Sequence, residues 1–76
     1  MTVEEELDRV RVVGDDGSSL TAIESRVVEY RLTSRGTRKL LGHREWRLST
    51  GERLGVVGAD ALVVRETGEL LWLASP

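Results

Sequence analysis

Seven basic side chains fall between residues 31 and 53: Arg31, Arg35, Arg38, Lys39, Arg44, Arg47 and Arg53, with Tyr30, His43 and Trp46 close among them. Cations that follow a phosphate backbone, beside flat rings on which bases stack, are what a surface for single-stranded nucleic acid requires. Arg38, Lys39, Arg44, Trp46 and Arg47 are the residues that chemistry would use. Counterion release would make the binding steeply salt-dependent. A plainer reading competes with it. Tyr30 and Trp46 could fill a core, with the arginines a solvated face paired across strands with Glu29, Glu45 and Glu52. The chain as a whole is acidic, with a pI of about 5.4, which weighs against a dedicated nucleic-acid binder. The plainer reading is preferred.

Other constellations carry less. Glu4, Glu5, Glu6 and Asp8, with Asp15 and Asp16, could hold a cation, but Asp15-Asp-Gly17 lacks the ligand spacing and closing glutamate of a calcium loop. No metal or other cofactor is expected. His43 beside Glu45 has no nucleophile at a fixed spacing, and so small a chain offers little room for a water-excluding pocket. An enzyme is not expected. Gly51 and Gly68 precede no helix and belong to turns, not to a phosphate loop. Trp72 lies in the apolar run Leu70-Leu-Trp-Leu73, where an aromatic serves equally as core or as the centre of an interface.

The elements that must position these residues follow from length and punctuation. At 76 residues the chain reads as one domain spanning 1–76, and it removes only about 60 % of its unfolded surface from water. It has no cysteine, so disulfides and thiolate metal sites cannot reinforce it. Association with another copy is one remaining way to bury more area. No apolar run approaches the roughly 20 residues that span a bilayer. The acidic start, Met-Thr-Val-Glu-Glu-Glu, is the opposite of a signal peptide's basic region, and a cytoplasmic protein is expected. Charge is unevenly placed: residues 1–30 carry a net of −5, residues 31–53 a net of +5 and residues 54–76 a net of −2.

Thr-Gly-Glu occurs twice, at Thr50-Gly51-Glu52 and Thr67-Gly68-Glu69, each copy between short β-prone runs. With a third turn at Gly58-Ala59-Asp60 this predicts two successive hairpins, a four-strand antiparallel meander. Upstream, Gly14 to Ser19 and Thr33 to Gly36 are turns. Residues 26–33 read as a strand; residues 20–25 fit helix or strand spacing and are taken as extended. Leu41 and Trp46 have opposite parity, so a one-residue bulge near Gly42 would place both on the core face of one kinked strand, Thr37 to Ser49. At the N-terminus, Thr2-Val-Glu-Glu5 matches a capping box, and Val3, Leu7 and Val10 share a helical face. One or two helical turns are expected there before Arg9-Val-Arg-Val-Val13 alternates as a strand.

The expected fold is therefore mainly β: five to six antiparallel strands in meander order, curled into a small barrel or roll, with a short N-terminal helical turn. The last strand is apolar on both faces, and an edge strand of that kind has to be paired or covered. Either the N-terminal segment lies over it or a second subunit does. The function expected from this is a non-catalytic interaction module, self-associating as a homodimer or binding a protein partner through Leu70, Leu71, Trp72 and Leu73. Single-stranded nucleic acid on the basic strands is the alternative.

Overall fold

The computed structural model describes residues 1–74. Six strands, β1 (Thr2–Val13), β2 (Ser19–Thr33), β3 (Gly36–Leu48), β4 (Arg53–Val56), β5 (Ala61–Val64) and β6 (Leu70–Leu73), form a closed antiparallel barrel in meander order. No helix occurs among the described residues, so none is long and apolar enough to cross a membrane. The two Thr-Gly-Glu copies turn the chain as expected: Gly51 and Gly68 take φ of 110° and 76°, and their amides bond Leu48 O and Val64 O at 2.8 and 2.7 Å.

The N-terminal helical turn does not form; the chain is a strand from Thr2 onward. Two helical turns are marginal in water, whereas the second half of β2 offers Thr2 to Glu6 a ladder, from Glu29 to Ser25. The amino group of Met1 extends it to Tyr30 O at 2.9 Å. The helix-like spacing of Val3 and Val10 has another origin. The register slips between Glu6 and Asp8, making Leu7 an extra residue. Val3 and Glu5 thereby share a face with Asp8, Val10 and Val12.

Gly42 marks the predicted bulge. Val28 pairs with Leu41 and Arg26 with Arg44, so Gly42 and His43 together oppose Val27. A Cβ on Gly42 would lie 2.9 Å from Val27 O, which is why the position has no side chain. The bulge puts Leu41 and Trp46 on one face, as its parity required. Only Trp46 reaches the core, however; Leu41 is 57 % exposed.

Strand length explains that difference. β1, β2 and β3 have 12, 15 and 13 residues, against four in each of β4, β5 and β6. Only the inner halves of the long strands fit into the barrel, where Val12, Ala22, Leu48, Leu54, Leu62, Val64 and Leu71 form the core with Val10, Leu20 and Trp46 at its margin. The outer halves project as a three-stranded arm. The molecule measures 54 × 27 × 21 Å with a radius of gyration of 15.4 Å, where about 11 Å is usual for a compact chain of this length.

β6 is not an edge. It pairs with β5 from Ala61 to Val63 and with β1 at Val12↔Leu73 and Val13↔Trp72. The N-terminal strand therefore closes the barrel. Leu71 is wholly buried, so a charge introduced there would unfold the protein rather than probe a surface. Leu70 and Trp72 lie on the outer face, and Leu73 lies at the barrel mouth beside Val10, Trp46, Val56 and Leu62.

Candidate functional site

The arm is built from Thr2–Glu6, Arg26–Thr33 and Gly36–Arg44. Because β2 runs through barrel and arm without a slip in its own alternation, one of its faces carries Leu20 and Ala22 into the barrel. The same face then carries Glu24, Arg26, Val28, Tyr30 and Leu32 outward. Register aligns rows across the three strands on that face. Val3, Val28 and Leu41 form one row; Glu5, Arg26 and Arg44 form the next. In the first row Val28 is 1 % exposed, but Val3 at 40 % and Leu41 at 57 % are left at the two ends. Beyond them Leu32, near the tip, is 87 % exposed. These apolar groups stand outside the barrel core, so the barrel gains nothing from their packing.

The second row is electrostatically unbalanced. Arg26 and Arg44 stand directly opposite, a destabilising arrangement for like charges. Glu5 relieves one of them: Arg26 Nη2 bonds Glu5 Oε1 at 3.0 Å, and Lys39 Nζ lies 3.9 Å from the other oxygen. Arg44 has no carboxylate partner among the described residues. Nε of Arg26 is buried without a hydrogen-bond acceptor.

Both long edges of the arm are open. β6 meets β1 only at Val12 and Val13, and β4 meets β3 only at Trp46 and Arg47. From Thr2 to Val10 on one side, and from Gly36 to Glu45 on the other, the outward backbone groups pair with no strand among the described residues. Such edges are templates for strand addition. The edges differ in sign. Glu4, Glu5, Glu6 and Asp8 with Arg9 give the first a net of −3, and Arg38, Lys39 and Arg44 with Glu45 give the second a net of +2.

The five residues expected to bind nucleic acid are not brought together. Lys39, Arg44 and Trp46 share the face described above, while Arg38 and Arg47 lie on the opposite one. Arg38 opposes Arg31, which is bonded to Glu29 at 2.9 Å; that bond holds the Glu29 carboxyl below its usual range and the guanidinium above its own. Arg47 lies 3.4 Å from Glu45. The structure adds two arginines that the earlier set omitted. Arg53 pairs with Arg47 and bonds Arg65 through Arg65 N to Arg53 O, so three arginines stand side by side on adjacent strands. A cleft of about 180 Å³ opens beside them where β3 and β4 diverge, lined by Arg44, Trp46, Arg53, Gly55 and Arg65 among others. Arg65 crosses the space left by Gly55 and donates Nε–H to Leu54 O at 3.4 Å. Their sequence signal was faint, since Arg53 and Arg65 are 12 residues apart and meet only through the β4–β5 hairpin.

Two of the remaining acidic groups are engaged locally. Asp16 accepts hydrogen bonds from the hydroxyl and amide of Ser18, which hold its carboxyl below the usual range. Glu6 is lowered likewise by Arg9. His43 is exposed at the Gly42 bulge. Comparisons of the chain with protein-family models, with curated proteins and with solved structures find no match in any of the three.

Proposed function

We propose that this chain is a non-catalytic interaction module that works by self-association, with the arm as its principal contact surface. The observation that carries this reading is the arm itself: exposed apolar side chains and two open strand edges, held out from a barrel that closes without them. Natural proteins blunt exposed strand edges or use them, and a domain this small gains buried area most readily from another copy. β6 supports the reading only through its outer face, where Leu70 and Trp72 add apolar surface; Leu71 serves the core.

Sedimentation equilibrium over a wide concentration range tests it. The wild-type chain is expected to associate, and Leu41→Asp is expected to weaken association at least about tenfold. That factor corresponds to roughly 1.4 kcal/mol, a modest demand for a charge placed in a desolvated contact. The circular dichroism of the variant should match the wild type, because Leu41 is outside the core. A wild-type chain that is monomeric at every concentration would end the proposal.

A second reading has its own observation: the Arg47–Arg53–Arg65 row and the adjoining cleft with Trp46 and Arg44. Like charges aligned across strands are costly unless an anion shares them. Single-stranded nucleic acid fits that demand, with Trp46 as a stacking surface. In a Trp72→Phe background, which isolates Trp46, a mixed oligonucleotide should quench the emission at low salt, and the effect should fade steeply as salt rises. Unchanged emission at low salt eliminates this reading.

A further inference from the structure

Three ways of extending the arm sheet are open, and charge separates them. Joining the β1 edges of two copies about a two-fold axis would set Glu4, Glu5, Glu6 and Asp8 against their own equivalents. Joining two β3 edges would do the same for Arg38, Lys39 and Arg44. Like charges across an interface select strongly against such partners. Joining the β1 edge of one copy to the β3 edge of the next sets the acidic edge against the basic one. β1 and β3 are both antiparallel to β2, so they run in the same direction, and a neighbour turned only by the twist of the sheet would pair these edges in parallel, with that twist swinging the wider barrels apart.

The rows across the arm favour the same choice. Val3 and Leu41 are the two exposed ends of one row, Glu5 and Arg44 the two ends of the next. A neighbour at the same level therefore continues both. The Val3 of one copy meets Leu41 of the neighbouring copy, and Glu5 meets Arg44. The row Glu5, Arg26, Arg44 then repeats, and every Arg44 gains the carboxylate it lacks in the single chain. We infer that copies of this chain assemble side by side and head to tail, the acidic edge of β1 pairing with the basic edge of β3 in the next copy through Glu5–Arg44 and Val3–Leu41 contacts. This rests on the self-association reading and names its partner, a second copy, and its symmetry. A heterologous contact leaves an unused edge at each end, so the assembly grows beyond two copies until it closes as a ring or continues as a filament.

Two experiments test the arrangement. In the first, native mass spectrometry and sedimentation velocity should find three or more copies for the wild type. Arg44→Glu should lower the association constant at least about 30-fold, as expected when one member of a desolvated charge pair is lost. Glu5→Lys should do the same. The two reversals are complementary, since at either kind of contact between the variants a carboxylate faces a cation again, so an equimolar mixture should assemble past the dimer although neither variant does so alone. In the second, which needs no charge reversal, cysteines are introduced into this cysteine-free chain. Within one copy Val3 and Leu41 lie two strand spacings apart, about 9.5 Å, too far for a disulfide. Between neighbours they would be about 4.8 Å apart, within disulfide range. A chain carrying both Val3→Cys and Leu41→Cys should oxidise to a ladder of oligomers, while either substitution alone should give none.

If the wild type associates but Arg44→Glu leaves it unchanged, or one cysteine alone cross-links dimers, the head-to-tail arrangement is overturned and self-association stands. If the wild type does not associate, both fall.

Discussion

Leu71→Ala will lower the stability of the barrel by about 3–5 kcal/mol, the largest loss expected of any single truncation in the chain. Leu71 is 0 % exposed and pairs with Leu62 in the cluster that also holds Val12, Ala22, Leu48, Leu54 and Val64. Those neighbours come from the other five strands, so little of the cavity can collapse without breaking a ladder. A 76-residue chain has a total stability on the order of 4–11 kcal/mol. The variant will therefore be partly unfolded at room temperature or close to it. Urea denaturation followed by circular dichroism measures this as a large fall in midpoint with little change in slope. Trp72→Ala and Leu70→Ala, on the outer face, should cost about 1 kcal/mol or less. Equal losses at all three positions would mean that β6 does not divide into a core side and an outer side.

Gly42→Ala is the second large effect, and it should be confined to the arm. The new Cβ would sit 2.9 Å from Val27 O, and a backbone oxygen held in a ladder cannot move aside as a side-chain end can. Relief requires the β2–β3 register beyond the bulge to shift, at a cost of about 1–3 kcal/mol. The row Val3–Val28–Leu41 depends on that register, whereas the row Glu5–Arg26–Arg44 lies on the barrel side of the bulge. Hydrogen exchange should show protection lost across residues 27–41, while the amides of Ala22, Leu54 and Leu71 in the barrel keep theirs. Association should weaken in parallel. A uniform loss of protection would show that arm and barrel open as one cooperative unit.

The meander was legible because its punctuation is local. The repeated Thr-Gly-Glu turns and the interruption at Gly42 each fix a few residues of backbone, and each is where the sequence places it. The capping box at Thr2 to Glu5 is equally local yet misleads, because a ladder to β2, with Arg26 bonded to Glu5, outweighs a short helix. The arm was hidden for a different reason. Alternation tells which residues share a face of a sheet, not whether anything covers that face. Leu41 therefore reads as a core residue although it lies beyond the barrel. Of the two covers open to β6, the N-terminal segment is the one observed; the sequence alone does not choose between them, since the closure depends on two pairs with β1 that no local signal announces. Within the basic block, the positions of the arginines were readable, but their division between two faces depends on the bulge. Arg53 and Arg65 join through pairing alone.

The meander order also sets how the chain must fold. Every pairing but one joins neighbours in sequence across a short turn, and such hairpins form in microseconds. The exception is the seam between Val12–Val13 and Trp72–Leu73, which closes a loop of about 60 residues and whose entropic cost must be met before its few bonds repay it. Folding is then a fast zipping of five hairpins followed by a slower closure of the barrel. Until that closure occurs, Leu70 to Leu73 form a true apolar edge. The chain is most exposed to misassembly in that interval, when β6 of one molecule can capture β1 of another.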